Sequence, residues 1–188
     1  FTAELFALWQ AGHVGVLPPN TNDGAISKIE KSIDLGGFIH DEPGRLGHFR
    51  SGASRTAGFP WGGPGPETPK TIGIAFSWGD LDLDTDKLAC IVFSSGSTGD
   101  ALRCDKTFGQ LFREVETLSD TFQINAAHRF YSTVPAHHIY GLLFSVLLPY
   151  RNGATTSRTS ALLPIEVASA LIESRATHLV TVPAHLQS

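Results

Sequence analysis

Residues 88–99 run Leu-Ala-Cys-Ile-Val-Phe-Ser-Ser-Gly-Ser-Thr-Gly, and no other stretch constrains the fold as tightly. The apolar half has the length and β-branched content of a buried strand. A strand without polar alternation needs cover on both faces, which points to the interior of a layered α/β sheet. Six small residues then follow: Ser94, Ser95, Gly96, Ser97, Thr98 and Gly99. Glycines let the backbone turn sharply and come close to a ligand. The hydroxyls and free amides converge on one small volume, which suits the oxygens of a polyphosphate. A following helix would add the positive end of its dipole. A plain polar strand-to-helix turn is the alternative reading. The common P-loop is excluded, because it needs Gly-Lys-Ser/Thr after four residues, whereas Gly99 is followed by Asp100 and Ala101.

The rest of the chain alternates in the same style. Thr2–Ala11 has helical spacing, with Leu5, Leu8 and Trp9 on one face and Gly12 at its end. Val14–Leu17 is a short strand, Ala25–Ile33 a helix, and Phe38–His40 a further strand. Residues 41–71 are rich in Gly, Pro and Ser and read as a long irregular insertion. Ile72–Phe76 and Leu88–Phe93 are strands. Lys106–Phe122 is a helix whose Phe108, Leu111, Phe112, Val115, Leu118 and Phe122 form a core stripe. Arg129–Val134 is a strand, and His138–Tyr150 a largely buried helix. Asn152-Gly153 turns the chain into Ala154–Ser157. Ile165, Ala168, Leu171 and Ile172 mark a helix after Pro164, and Thr177–Val182 is the last strand. Strands alternating with helices predict a mainly parallel β-sheet layered with helices, in one domain.

Composition narrows the function classes. A formal charge of −4 argues against a nucleic-acid-binding role, which usually leaves a basic patch. No run reaches the about 18 apolar residues of a membrane span, and Phe1–Gln10 has no basic start of a signal peptide. Two cysteines, Cys90 and Cys104, are too few for a disulfide framework. They read as free thiols of a reducing, cytoplasmic compartment. The lack of methionine and the opening in mid-helix pattern predict a piece of a longer polypeptide.

The strand followed by Ser-Ser-Gly-Ser-Thr-Gly closely resembles the phosphate-loop signature of the adenylate-forming (AMP-binding) enzymes. These include acyl- and aryl-CoA synthetases, adenylation domains of peptide synthetases, and luciferases. Further segments resemble the family in its order. They are Leu5–Val14 with Leu17–Asn20, then Pro135–Leu142 beside the acyl pocket, then Ala176–Ala184. The resemblance covers nearly the whole chain as part of an N-terminal AMP-binding domain. It implies attack of a carboxylate on the α-phosphate of ATP, giving an acyl-adenylate and pyrophosphate. The acyl group would then pass to the thiol of CoA or of a carrier protein's phosphopantetheine arm. Mg²⁺ would come with the ATP phosphates. Ile139, Tyr140, Leu142, Leu143 and Phe144 would suit a fatty or aromatic acid better than a charged one, and they could equally be core.

By the same resemblance, Ser94 to Gly99 contact the phosphates, and His138, Tyr140 and Gly141 orient the acid or shape its pocket. The family's usual basic residue, three positions past the last loop glycine, is replaced by Leu102. Arg103 or Lys106 could supply that charge, or both could be solvated residues at a helix start. His138 could equally be a helix-start histidine satisfied by backbone. The histidines match no metal-ligand spacing. The Asp80, Asp82, Asp84, Asp86 series lacks the glycine and glutamate of a calcium loop. The family's catalytic lysine has no counterpart in these residues, so the fragment alone is expected to be inactive. A non-catalytic scaffold that binds nucleotide or acyl ligand is the second reading. A dinucleotide domain would need Gly-x-Gly-x-x-Gly, which Gly96-Ser97-Thr98-Gly99 does not provide.

Overall fold

A computed structural model describes residues 1–20, 23–33, 35, 83–94, 102–157, 161 and 163–186. The expected strands at 38–40 and 72–76, the stretch 41–71 read as an irregular insertion and the expected phosphate-binding residues 95–99 lie outside the described residues.

Among the described residues, two three-stranded sheets carry the fold. The first has the order β1 (Gly15–Leu17), β2 (Leu88–Ser94), β3 (Leu102–Thr107). β1 runs parallel to β2, and β3 runs antiparallel to it. The second has the order β5 (Thr155–Thr156), β4 (Arg129–Ser132), β6 (His178–Val180), all parallel. Parallel pairing predominates, as the alternating pattern predicts.

β2 is buried along its apolar run because helices cover both faces. Cys90 and Val92 belong to the main core with α1 (Thr2–Gln10) and α3 (Phe108–Phe122). Ile91 and Phe93 pack with Ile29 of α2 (Asp23–Ser32) on the other side. A register irregularity between Leu88 and Cys90 lets Ala89 join the main core as well. Trp9 closes this layer, donating its indole N–H to the Ala89 carbonyl at 2.9 Å. Gly12, just past α1, adopts φ +75°, the left-handed geometry that ends a helix at low cost for glycine.

Burial pushes the Cys90 thiol up to about 12, while Cys104 on β3 is exposed. Thiolate is the reacting form. A water-soluble thiol reagent at pH 8 should therefore modify Cys104 quickly and Cys90 only after unfolding. Equal rates at both would contradict this packing.

Residues 102–107 form a strand, not the beginning of a helix as the spacing suggests. The expected helix over Lys106–Phe122 starts at Phe108, where a capping box fixes its end. Thr107 Oγ1 accepts the Gln110 N–H, and the Gln110 side chain accepts the Thr107 N–H. Phe108, Leu111 and Val115 are buried as expected, but Phe122 is 51% exposed.

In the second sheet, Ser132 faces a helix that begins as α4 (Ile139–Gly141), continues as a π-helical segment (Leu142–Leu147) and ends as α5 (Leu148–Arg151). Most of it is buried, as the sequence predicts. Ser145 on the π segment donates to Ser132 Oγ at 2.8 Å, which pins the widened turn to β4. On the opposite face, Tyr131 Oη accepts the Ala161 N–H, and α6 (Pro164–Ser174) packs against β4. α6 starts with its proline, as expected, but shows a different face to the sheet. Ile165 and Ile172 are exposed, while Val167, Ala170 and Leu171 are half-buried.

Candidate functional site

β2 ends at Ser94, whose Cα partner across the sheet is Leu102 on β3. The chain thus leaves the sheet at Ser94 and re-enters it beside the same place, with residues 95–101 in between. No helix follows this segment directly, so the expected helix dipole does not come from α3. The strand that returns is polar and exposed over most of its length.

Arg103 and Lys106 both lie on β3. A strand points successive residues to opposite faces. Arg103 pairs with Phe93 and Lys106 with Cys90, so the two basic side chains stand on opposite faces. They are not residues of a helix start, and they cannot serve one phosphate group from the same side. Arg103 forms a fork with Asp105, with Nε to Oδ1 at 2.6 Å and Nη2 to Oδ2 at 2.9 Å. This hydrogen bond holds the Arg103 guanidinium above its ordinary range and the Asp105 carboxyl below. Lys106 Nζ is 3.9 Å from Glu114 Oε2 on α3.

The acid-side residues lie at the second sheet, just past the carboxyl end of β4. This is where α/β sheets commonly bind ligands. His138 is half-buried and extended (φ −85°, ψ 145°), and it caps α4 without a side-chain cap bond. Its amide donates to the Pro135 carbonyl at 3.1 Å, and its ring lies 4.5 Å from the His137 ring. Gly141 packs on the Pro135 carbonyl so closely that a side-chain carbon would collide with that oxygen and lie 2.8 Å from the carbonyl carbon. Its helical φ of −65° suits any residue, so space alone demands glycine.

Tyr140 is 38% exposed and lines a cavity of about 180 Å³ between this helix and the sheet. Phe122, Phe130, Phe144, Leu148 and His178 help to form it. Tyr140, Phe144 and Leu148 line it from the helix, and His178, Leu179 and Val180 from β6. Phe122 and His178 were not legible as site residues, because they come from chain segments far from the Pro135–Leu142 motif. Further along the carboxyl edge, buried Thr133 bonds Thr181 Oγ1 at 2.8 Å and His185 Nδ1 at 2.9 Å. This ties α7 (Pro183–Leu186) to the end of β4.

A sequence profile of the AMP-binding enzyme family matches residues 56–188, which contain both the Ser/Gly/Thr segment and the acid-side motif. The chain belongs to the AMP-binding enzyme family. It is 29% identical over 127 residues to the probable CoA ligase CCL5 of Humulus lupulus. That match covers 61% of this chain and 23% of the hop protein. Two solved AMP-binding structures share the fold. ATP-bound MatB from Rhodopseudomonas palustris aligns with a TM-score of 0.51 and 23% identity, over 56% of this chain and 20% of that one. O-succinylbenzoate coenzyme A synthetase (MenE) from Bacillus subtilis, in complex with AMP, aligns at 0.50 and 22%, over 56% and 22%. The chain thus spans about a quarter or less of the length of these relatives. No helix among the described residues is long and apolar enough to cross a membrane.

Proposed function

We propose that the intact protein activates a carboxylic acid with ATP and passes the acyl group to a thiol. The acid displaces pyrophosphate from the α-phosphate, leaving an acyl-adenylate. The thiol of CoA or of a carrier protein's phosphopantetheine arm then displaces AMP. The observation that carries this reading is the placement of Ser94 at the carboxyl end of a fully covered strand, within the stretch the AMP-binding profile matches. Ser95, Gly96, Ser97, Thr98 and Gly99 follow it directly. The hop relative, a probable CoA ligase, supports the thiol acceptor.

Adenylyl transfer depends on positioning and charge stabilisation more than on covalent protein chemistry. Ser94–Gly99 would hold the β- and γ-phosphates by hydroxyl and amide donors. Arg103, one residue pair from the segment's base, is the nearer of the two cations. Lys106 lies about 10 Å further along the strand at the usual rise per residue. Mg²⁺ would be carried by the ATP phosphates. His138 would orient the carboxylate at the mouth, Tyr140 would line the pocket, and Gly141 would set the helix close to Pro135. The apolar and aromatic cavity wall favours a fatty or aromatic acid over a charged one.

The reaction test is product formation by the intact protein. AMP and a thioester should appear together only when acid, ATP and thiol acceptor are all present. ATP hydrolysis to ADP under those conditions would contradict the proposal. Arg103→Ala should leave the urea midpoint unchanged, since its fork with Asp105 is solvent-exposed, yet weaken ATP binding several-fold. Unchanged ATP affinity would remove Arg103 from the site.

A further inference from the structure

The helix after β4 changes its winding at one place, and the sequence shows a cause. Pro149 has no N–H to give, and in an α-helix its ring crowds the carbonyl four residues earlier, that of Ser145. The Leu142–Leu147 segment widens into π turns just before this proline, and the Leu148 N–H reaches back five residues to the Leu143 carbonyl. Such widening is uncommon and recurs at functional sites.

Ser145 is the one polar side chain in Leu-Leu-Phe-Ser-Val-Leu, and it is 7% exposed. A buried hydroxyl needs a partner. Ser145 has it in Ser132, 9% exposed, at 2.8 Å. Ser132 Oγ also accepts the Val134 N–H at 3.1 Å and donates to the Val134 carbonyl at 3.0 Å. Val134 is joined directly to Pro135, whose carbonyl takes the His138 N–H at 3.1 Å. One series of contacts thus runs from the middle of the helix, through the end of β4, to the start of the same helix.

The winding matters for the cavity. An α-helix turns about 100° per residue, so two positions eight apart would stand about 80° out of line. Tyr140, Phe144 and Leu148 nevertheless line the same cavity. The wider π turns take up this drift. A plain α register would swing Leu148 away from the face of Tyr140 and move Ser145 off Ser132.

We propose that Ser145 and Ser132 are positioning residues for the acid-binding cavity. Their hydrogen bond selects the π register that keeps Tyr140, Phe144 and Leu148 on one wall, and it couples that wall to the Pro135–His138 turn. Neither serine lines the cavity itself, so both act through these neighbours. The inference rests on the acid-activating function proposed above and adds two residues which that function does not use.

The test is Ser145→Ala in the intact protein, with benzoate, phenylacetate, hexanoate and octanoate as acids. KM for the acid should rise about tenfold, as misplaced binding groups allow, while KM for ATP stays as it was. Ser132→Ala breaks the same bond and should act in the same direction, so the test stands if one variant fails to fold. The double variant should be no worse than Ser132→Ala alone, because the shared bond is already gone. A merely stabilising bond would lower the urea midpoint and leave both KM values in place. An unchanged KM for the acid, equal rises in both KM values, or a double variant whose loss is the product of the single losses overturns the inference. Calorimetric binding of the same acids separates it from the reaction. Weaker acid binding by Ser145→Ala, in a protein that forms no adenylate, would overturn the proposed function and keep the role of the serines. Adenylate formation with an unchanged KM for the acid in the variants would do the reverse. A wild-type protein that neither binds nor activates any of these acids overturns both.

Discussion

Gly141→Ala is expected to destabilise the protein by about 3 kcal/mol or more, a large share of the stability of a typical domain. The added carbon would meet the Pro135 carbonyl at a distance no relaxed structure tolerates, and Ala136 Cα lies only 3.2 Å away. The helix cannot retreat freely, because Leu142 N–H donates to the His138 carbonyl at 2.7 Å and Ser145 is pinned to Ser132. Gly12→Ala provides the contrast. That site has open space and a φ of +75°, so it should cost only about 1 kcal/mol from left-handed strain. Urea unfolding of the two variants checks the difference. Equal midpoints would mean that the Gly141 contact is relieved by a small local shift. The variant should also weaken acid use, since Tyr140 and His138 are placed through the same turn.

Thr98→Val should slow adenylate formation by about 10- to 100-fold, which corresponds to about 1–3 kcal/mol for an unpaired hydrogen-bond partner. The substitution keeps the shape and removes one hydroxyl from the Ser94–Gly99 group. Its effect should appear in ATP dependence, while the affinity for the free acid stays as it was. Unchanged ATP dependence would take the phosphate-binding role away from this segment.

The parts of the molecule legible in the sequence are those whose pattern reflects burial. Ala89–Phe93 lies in the interior because an unbroken apolar run needs cover on both faces, and the two clusters around Cys90 and Ile91 provide it. Thr2–Gln10, the helix after Pro164 and the turn at Gly153 follow from local chemistry in the same way. β3 was not legible. Leu-Arg-Cys-Asp-Lys-Thr alternates apolar and polar over only its first four residues, too few to mark a strand, and its conformation is imposed by pairing with β2. One local signal did exist: Thr107-x-x-Gln110 is a capping box, and it places the helix start at Phe108 instead of Lys106.

α6 shows the limit of periodicity. Ile165, Ala168, Leu171 and Ile172 make the expected helical stripe, while Val167, Ala170 and Leu171 make the half-buried one, with Leu171 common to both. Only the position of β4 decides which stripe faces inward. The same holds for the site. Tyr140 and Gly141 stand out in their own motif. His178 also lines the cavity, and its proximity to Phe130 depends on the pairing of β4 with β6. The basic residues after the Ser/Gly/Thr segment likewise looked interchangeable in sequence. The strand separates them onto opposite faces, and only Arg103 stays close to the base of the segment.

The central claim is adenylation of a carboxylic acid, and the most direct measurement is carboxylate-dependent exchange of labelled pyrophosphate into ATP by the intact protein. The panel should contain single-ring aromatic and fatty acids. Exchange that requires an added acid is the predicted result. A folded protein that binds ATP and one of these acids, yet exchanges no pyrophosphate with any of them, would contradict the account and leave a nucleotide- and acyl-binding scaffold in its place.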